Sequence, residues 1–575
     1  MSEVNALELF AESVGEAVRS VLGKRGLEAC VEIVEPTVEG VDLAVPCFPL
    51  AKAMGKAPKT IAEELASEIE AKHPISGVEA SNGYLNFTMD HGFLVRNVLG
   101  EIISKGDDYG RKPPTGLRVN VEHTSTNPTG PIHVGRARNP IIGDTLARVL
   151  KAVGHEVTTE YYVNDVGKQV VILSWGVRNI DPGDVDPSDR DKADHNMVPY
   201  YREANRRMEE DPAVAEEISE LLRRFEIGDR EVIDAVGETA AAMIDGLRES
   251  LSEIGVELDV YTWESKFILD GSAADIVARL KESEHAGTEG DGSWYLDLKD
   301  FGIKGKNTRF TFTRSDGTTL YTTRDLAYHM DKFKRADRVI DVLGEDQKLG
   351  SRQLCAALEI LGCEKQPEAI FYSFVSLAGG TKMSTRRGTV VYLDDLIDEA
   401  VEMAYGEVAK RRADLSEGRM REIARVIGIG AIRYNIVRVQ PDKQMVFNWN
   451  EALNFEGNSA PFLQYAHARA CTMIGKAGGF REDTDPAKLT DPSEIRLVKA
   501  LSRFGKALEV ASTGRVHLLP SYGQEVASAF NQFYASVPVL SAGRERDARL
   551  TLTQCARVVL RNVLGYLGIG APEEM

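Results

Sequence analysis

The stretch from Leu117 to Leu150 constrains this chain more than any other. Val119 and Val121 alternate with Arg118, Asn120 and Glu122, the period of a β-strand. Pro128, Gly130 and Pro131 then interrupt the pattern and enforce a loop. After Gly135, the residues Ile141, Ile142, Thr145, Leu146, Val149 and Leu150 recur at helical spacing. Strand, glycine-containing loop and helix together predict one unit of an open parallel sheet, in which the loop lies at the carboxyl end of the strand, where ligands bind. The start of the helix offers unpaired N–H groups and the positive end of a dipole, and so suits a phosphate. His133 stands within reach of such a phosphate, and Gly135 has no side chain to hold a flat base away. Histidine, any residue, glycine is common in long chains, and the plain reading of His133 is a loop histidine. The rest of the chain has to decide.

At 575 residues the chain exceeds one hydrophobic core, and about three or four domains are expected. Its 43% apolar and 27% charged residues are the balance of a soluble globular protein. No apolar run approaches the roughly 20 residues that span a bilayer, and Met-Ser-Glu-Val-Asn lacks the basic start and apolar core of a secretory leader. A net charge of −19 argues against a polyanionic partner as a global sum, yet phosphate binding needs only a local basic surface. The run from Lys410 to Arg438, with Arg411, Arg412, Arg419, Arg421, Arg425 and Arg433, reads either as a solvated helix face or as an RNA contact. The six cysteines form no Cys-x-x-Cys pair and lie beside no histidine at zinc-finger spacing. Scattered thiols of this kind fit a reducing cytoplasm.

Residues 1–112 read as a small α/β unit. It comprises a helix through Leu7, Val14, Val18 and Leu22, a strand at Val31-Glu32-Ile33, and a helix opening at Thr60 with capping-box spacing to Glu63. A strand at Gly83–Phe87 and a helix over Val95–Ile103 complete it, and Lys112-Pro113-Pro114 marks the boundary. Residues 113–400 read as a Rossmann-like parallel-sheet domain with insertions near 170–250 and 265–318. Within it, Glu156–Val163 is a strand ending in Asn164-Asp165, which serve a site or cap the next helix. Tyr321–Phe333 predicts a helix with Tyr321, Arg324, Asp325 and Tyr328 on one face. Val339–Leu343 is a strand closed by Gly344-Glu345-Asp346-Gln347, and Phe371–Val375 is another. The basic, glycine-flanked run Ala378–Gly388 predicts a loop that closes on phosphates. Residues 401–575 carry helical periodicity throughout, giving an all-α bundle of about 170 residues.

Two phosphate-seeking features thus share one sheet domain. His133-Val134-Gly135-Arg136 followed by Lys382-Met383-Ser384 resembles the two signature motifs of class I aminoacyl-tRNA synthetases. Glu122…Asn127-Pro128, Tyr321-Thr322-Thr323-Arg324-Asp325-Leu326-Ala327, Met383–Val390, Ala460–Arg469 and the ending Tyr566-Leu567-Gly568-Ile569 narrow the resemblance to the arginyl-tRNA synthetase family. Ser81–Phe87 is similar to that family's N-terminal tRNA-contacting domain, and Ala460–Arg469 to the start of its helical anticodon-binding domain. The resemblance implies activation of L-arginine by ATP and transfer of the arginyl group to the 2′-OH of the terminal adenosine of tRNA(Arg), with tRNA present for the first step as well. It implies His133 and Lys382 as catalytic residues. For ATP it implies Thr129, Pro131, His133, Gly135, Arg136, Asp346, Gln347, Lys382, Met383 and Ser384. By the same resemblance Glu122 and Asn127 hold the amino-acid backbone, Tyr321 and Asp325 hold the guanidinium, and Gln347 faces the ribose or the amino acid. Mg²⁺ enters with ATP, held mainly by phosphates. No structural metal, editing domain or membrane partner is expected, and a cytoplasmic monomer is.

Two departures stand out. Arg136 occupies the place of the first motif's second histidine, and Thr385 that of the second motif's second lysine, so Arg386 or Arg387 is expected to supply the missing charge. Three other readings compete. The cysteine-specific synthetase binds zinc through a Cys/His cluster that this sequence lacks. A nucleotidyltransferase shares the first motif but has no need of the long helical C-terminus. A non-enzymatic RNA-binding relative has no need of His133, Gly135 and Lys382 together.

Overall fold

The computed structural model describes residues 6–28, 30–34, 36, 38, 40–188, 190–304, 308–377, 391–481, 485 and 488–575. Among these, a five-stranded, wholly parallel sheet runs in the order Glu368–Tyr372, Arg338–Gly344, Arg118–Glu122, Glu156–Val163, Val260–Trp263. The first strand in sequence, Arg118–Glu122, lies at the centre, and the chain winds outward from it in both directions. The crevice between Arg118–Glu122 and Arg338–Gly344 is therefore the topological switch point, where open α/β sheets bind ligands. The helix Arg138–Ala152 returns from the central strand, burying Ile141, Ile142, Leu146, Val149 and Leu150. Gly143 lets it sit close, since a Cβ there would fall 2.3 Å from the His123 ring.

Between Glu156–Val163 and Val260–Trp263 the chain inserts the helices Ala193–Glu210, Pro212–Glu226 and Arg230–Glu253, which with Lys168–Asn179 enclose their own core around Trp175, Phe225 and Val236. A small antiparallel sheet, Ala286–Thr288, Trp294–Asp297 and Arg309–Thr311, packs with the helix Tyr321–Arg335 around Phe310, Phe312 and Tyr328. Each such ring contributes roughly 1.5–3 kcal/mol by leaving water. At the N-terminus, Leu43–Pro46, Tyr84–Met89 and Ile75–Ser81 form an antiparallel sheet covered by Ala6–Lys24, Pro58–Glu68 and His91–Lys105. The C-terminal part is built from Leu393–Arg411, Glu417–Val437, Ala460–Ala477, Pro492–Ser502, Leu518–Ser536 and Arg546–Tyr566, with shorter helices between them. The N- and C-terminal parts touch: Tyr109 stacks on Phe504 and its hydroxyl donates to Leu501 O at 3.1 Å.

Several local expectations give way. Val31–Ile33 is no strand; only Val34 bridges Ala44. The helix expected to open at Thr60 opens at Pro58, because proline fixes the first helical φ and needs no N–H partner, and its N-cap Ala57 makes no side-chain hydrogen bond. Asn164 and Asp165 do not cap the next helix, whose N-cap is Gly167; Asp165 instead accepts the Ser265 N–H at 2.9 Å. The single strand expected over Phe371–Val375 splits. Glu368–Tyr372 stays in the sheet, while Val375–Leu377 leaves it to pair with Met445–Phe447. The cause is Arg138, whose guanidinium draws in the carbonyls of Ser373, Val439, Gln440 and Lys443 at 2.8–3.0 Å.

Candidate active site

The loop after the central strand is held in a strained form. Thr124 and Ser125 have φ of 73° and 36°, values that side-chain-bearing residues rarely adopt, at a cost of about 1–3 kcal/mol each. Asn139 stabilises the turn by accepting the Thr124 N–H at 2.7 Å while donating to Val342 O at 3.0 Å, which ties the loop to the neighbouring strand. Ser125 Oγ donates to Glu122 Oε1 at 3.0 Å and accepts the Tyr162 N–H at 3.1 Å. Asn127 is exposed, donating from Nδ2 to Gln169 Oε1 at 3.3 Å; Thr129 is half-buried and Pro131 buried.

His133 is the N-cap of the short helical turn Val134–Arg136, and its Nδ1 accepts the Gly135 N–H at 3.0 Å. That bond assigns the proton of the neutral ring to Nε2, which is left as a donor on the exposed side. Partial burial, aided by the Arg136 charge, lowers the imidazole's affinity for a second proton. A Cβ on Gly135 would stand 3.0 Å from His133 Nδ1, so this glycine lets the ring fold over its own turn as well as keeping the backbone bare. Arg136 is exposed and lies over the Phe374 ring, 5.8 Å from its centroid. Phe374 in turn lies 3.2 Å from where a Gly344 Cβ would be, and Gly344 opens the turn Glu345–Gln347 that presents Asp346 and Gln347 to solvent. The His133 loop and the Asp346 turn thus meet across the switch point.

Lys382, Met383 and Ser384, with Thr385, Arg386 and Arg387, lie outside the described residues. Both flanks of that segment rest on the His133 loop. Val375 O lies 3.6 Å from the Gly135 Cβ position, the Val134 N–H donates to Val391 O at 2.9 Å, and the Leu393 N–H to Ile132 O at 2.7 Å.

On the other side of the crevice the sheet register places Asp341, Glu122 and Glu160 abreast on adjacent strands. Like charges side by side in a sheet repel, and the helix Tyr321–Arg335 supplies the counter-ions. Lys332 Nζ donates to Glu122 Oε2 and Asp341 Oδ1, both at 2.8 Å, and Arg335 forks onto Glu160 at 2.9 and 3.1 Å. His329 Nε2 lies 2.9 Å from Asp341 Oδ2, and its Nδ1 3.1 Å from Asp325 Oδ1. Burial and Lys332 push the His329 imidazole down, but Asp341 and Asp325 outweigh them and lift it to about 10. Burial raises the Glu122 carboxyl above its usual range, against the pull of Lys332. Of the predicted face, Arg324 and Tyr328 turn inward, Arg324 onto the buried Glu264. Asp325 is half-buried and Tyr321 is 66% exposed at the helix start.

Sequence reasoning missed Asp341, His329, Lys332 and Tyr162. The buried hydroxyl of Tyr162 has no partner among the described residues and lies among the charges of Glu264, Asp325 and Glu122. The available signal was the spacing of Arg324, Tyr328 and Lys332 at i, i+4, i+8, which puts two cations on one helix face. Two groupings of carboxylates with a histidine, Glu122/His329/Asp341 and Asp194/His195/Asp394, have metal-like spacing, but a lysine sits in each: Lys332 in the first and Lys192, 2.9 Å from Asp394, in the second.

The basic run in the C-terminal part is largely ion-paired: Arg411 with Glu407, Arg419 with Glu422 and Glu574, Arg421 with Glu417 and Glu402, and Arg438 with Glu451. Arg433 is wholly buried, bonded to Asp144, Leu567 O and Ile254 O, and so cannot contact RNA as its charge suggested. An exposed feature of this part is a cavity of about 660 Å³ lined by Tyr465, Arg469, Lys476, Tyr534 and Met575. In it the Arg469 guanidinium lies 4.7 and 4.6 Å from the Tyr465 and Tyr534 ring centroids.

A doubly wound sheet with an imidazole-bearing turn and a turn of acidic and amide side chains facing each other across its switch point has the form of a class I aminoacyl-tRNA synthetase. Residues 98–449 match the model described as tRNA synthetases class I (R), catalytic domain; residues 8–89 match the arginyl tRNA synthetase N terminal domain, and residues 463–575 the DALR anticodon binding domain. The chain is 45% identical to an arginine–tRNA ligase of Methanocella arvoryzae over 98% of its length and 99% of that protein's, and 41% identical to one of Methanothermobacter thermautotrophicus over 97% and 98%. The arginyl-tRNA synthetase of Thermus thermophilus superposes with a TM-score of 0.81 at 27% identity, covering 98% of this chain and 100% of that one. This chain belongs to the arginyl-tRNA synthetase family.

Proposed function

We propose that the chain joins L-arginine to ATP, giving arginyl-adenylate and diphosphate, and then passes the arginyl group to the 2′-OH of the terminal adenosine of tRNA(Arg), releasing AMP. In the first step the arginine carboxylate attacks the α-phosphorus and diphosphate departs with the bond's electrons. Such displacements are catalysed mainly by positioning and charge stabilisation. The observation that carries this reading is the approach of the His133 turn to the Asp346–Gln347 turn at one switch point, with the buried carboxylates Glu122 and Asp341 on the two strands that form it. His133 Nε2–H donates to a phosphate oxygen as charge builds, and the start of Arg138–Ala152 adds its dipole. Asp346 and Gln347 face the ribose, Gln347 also the amino acid. Thr129, Pro131, Gly135 and Arg136 line the nucleotide's path. Lys382, followed by Met383 and Ser384, neutralises the departing diphosphate; the flanks at Val375 and Val391, both against the His133 turn, support that role. Mg²⁺ comes with ATP. Glu122 and Asn127 hold the backbone of arginine, and Asp325 and Tyr321 its guanidinium. Acceptors that the bound arginine itself shields from water reject analogues lacking the matching donors by about 10⁴-fold or more, which removes the need for editing.

For tRNA we assign the Tyr465–Arg469–Tyr534 cavity as a platform for an unstacked base. The exposed Phe48–Tyr84 pair of the N-terminal unit, 5.2 Å between centroids, is assigned as a second contact. Domain limits at 112 and 400, a monomeric state and a cytoplasmic location belong to the same reading. Six free cysteines, and the finding that no described helix is long and apolar enough to cross a membrane, accord with it. ATP–diphosphate exchange with each amino acid in turn, with and without tRNA, tests it. Exchange driven by arginine alone, and only with tRNA present, is expected; exchange driven by cysteine, or none with any amino acid, refutes it. Arg386→Ala should slow adenylate formation more than it weakens arginine binding, and an unchanged activation rate removes that residue from the mechanism.

A further inference from the structure

Glu122 and Asp325, assigned above to opposite ends of the substrate arginine, are joined behind the site by an unbroken chain of contacts. It runs from Glu122 Oε2 to Lys332 Nζ at 2.8 Å, to Asp341 Oδ1 at 2.8 Å, then from Asp341 Oδ2 to His329 Nε2 at 2.9 Å, and from His329 Nδ1 to Asp325 Oδ1 at 3.1 Å. The three middle residues are buried, and Lys332 is wholly so. Asp341 lies directly opposite Glu122 in the sheet register, so one end of the chain is fixed by backbone pairing. The other end is fixed by the helix Tyr321–Arg335, on which Asp325, His329 and Lys332 follow one another at one-turn intervals. Tyr328 lies under Lys332, 4.2 Å from centroid to Nζ, and stacks on Tyr162 at 4.3 Å, which leaves the cations little freedom to move. Three carboxylates against Lys332 and a protonated His329 leave one negative charge in excess, matching a cationic ligand.

We propose that His329, Asp341 and Lys332 are positioning residues that hold Glu122 and Asp325 at a fixed separation, so that the site gauges the length of its amino acid as well as its charge. This rests on the assignment of Glu122 and Asp325 to the two ends of arginine. His329 Nδ1 donates to the Asp325 backbone carbonyl at 2.8 Å and pairs electrostatically with Asp325 Oδ1 at 3.1 Å, so it holds both the backbone and one oxygen of this residue; Oδ2, without a partner among the described residues, is the face offered to the guanidinium. A ligand one methylene longer must either tilt or push Asp325 off His329. Discrimination of one methylene is worth roughly 10–200-fold in a rigid pocket, and less where an anchor can move.

The test uses the full chain with tRNA and compares kcat/KM in ATP–diphosphate exchange for L-arginine and L-homoarginine. The parent should prefer arginine by about 10-fold or more. His329→Gln, and the isosteric Asp341→Asn, should each lower that preference at least ~5-fold. KM for arginine should rise while KM for ATP stays within about twofold. Asp341→Asn changes no volume and serves if His329→Gln fails to fold. An unchanged preference in whichever variants fold, or equal rises in both KM values, overturns the gauge. If the parent shows no arginine-dependent exchange at all, the assignment of the substrate fails instead, and the two failures are distinct.

Discussion

His123 shows how a single buried group makes the fold sensitive to acid. It lies beneath the strained Thr124–Ser125 turn, its Nδ1 2.9 Å from Thr124 Oγ1, and burial lowers its pKa to about 4. Its folded value is thus below the unfolded one, near 6.5, and the unfolded chain takes up the extra proton first. The sign follows: stability is full above pH 6.5 and is lost as pH falls toward 4, by about 3 kcal/mol in total. His123→Gln should therefore lose less stability than the parent between pH 6.5 and 5. Thermal midpoints at the two pH values check this, and parallel losses in both proteins rule it out. His133 and Gly135 alone are a common pair; they stood out because they lie between a strand and a helix and because the further motifs follow in order along the chain. The Asp341–Glu122–Glu160 row was not, because it arises from register between strands far apart in sequence. Glu122 was singled out by the family resemblance, but nothing local marks Asp341 or Glu160, each an acid within a strand, as its neighbours.

Arg118–Glu122, its loop and Arg138–Ala152 were readable because apolar periodicity switches from strand to helix across a proline–glycine loop. The end of the strand Glu368–Tyr372 was not readable, because it is set by Arg138, whose carbonyl partners include Val439 and Lys443. No local pattern announces an arginine that is bonded to carbonyls alone, and one that burial brings down only to about 10, so it stays charged. The close fit of the helix on its loop yields a sharper expectation. Gly143→Ala places a methyl group where the His123 ring already is. It should destabilise the protein by about 1–3 kcal/mol, as overpacking does, and should slow activation by displacing the loop that runs from Glu122 to His133. Normal exchange kinetics with an unshifted melting temperature would show that the helix can yield.

Across the whole molecule, cations divide into those that hold its parts together and those available to a partner. Arg433 is of the first kind: it joins the helix Glu417–Val437 to Asp144 on the first helix of the sheet domain and to the C-terminal carbonyl of Leu567. Arg433→Ala leaves the buried Asp144 with Arg148 alone and unpairs the carbonyls of Leu567 and Ile254, and should cost about 3 kcal/mol, while tRNA affinity measured below the melting temperature stays unchanged. Arg469 is of the second kind. Arg469 also donates to Asn531 Oδ1 at 2.7 Å, so Tyr534→Ala is the cleaner test: it should raise KM for tRNA about tenfold, in line with a base-stacking contribution of about 1–3 kcal/mol, and an unchanged KM removes the platform. A net charge of −19 hid this division, because it sums over both kinds. The account as a whole rests on one imidazole at the switch point of the sheet. The most direct measurement is single-turnover transfer of arginine to tRNA by His133→Ala at saturating arginine. A fall of about 10²–10³-fold with arginine affinity preserved is predicted; transfer at the parent rate would contradict it.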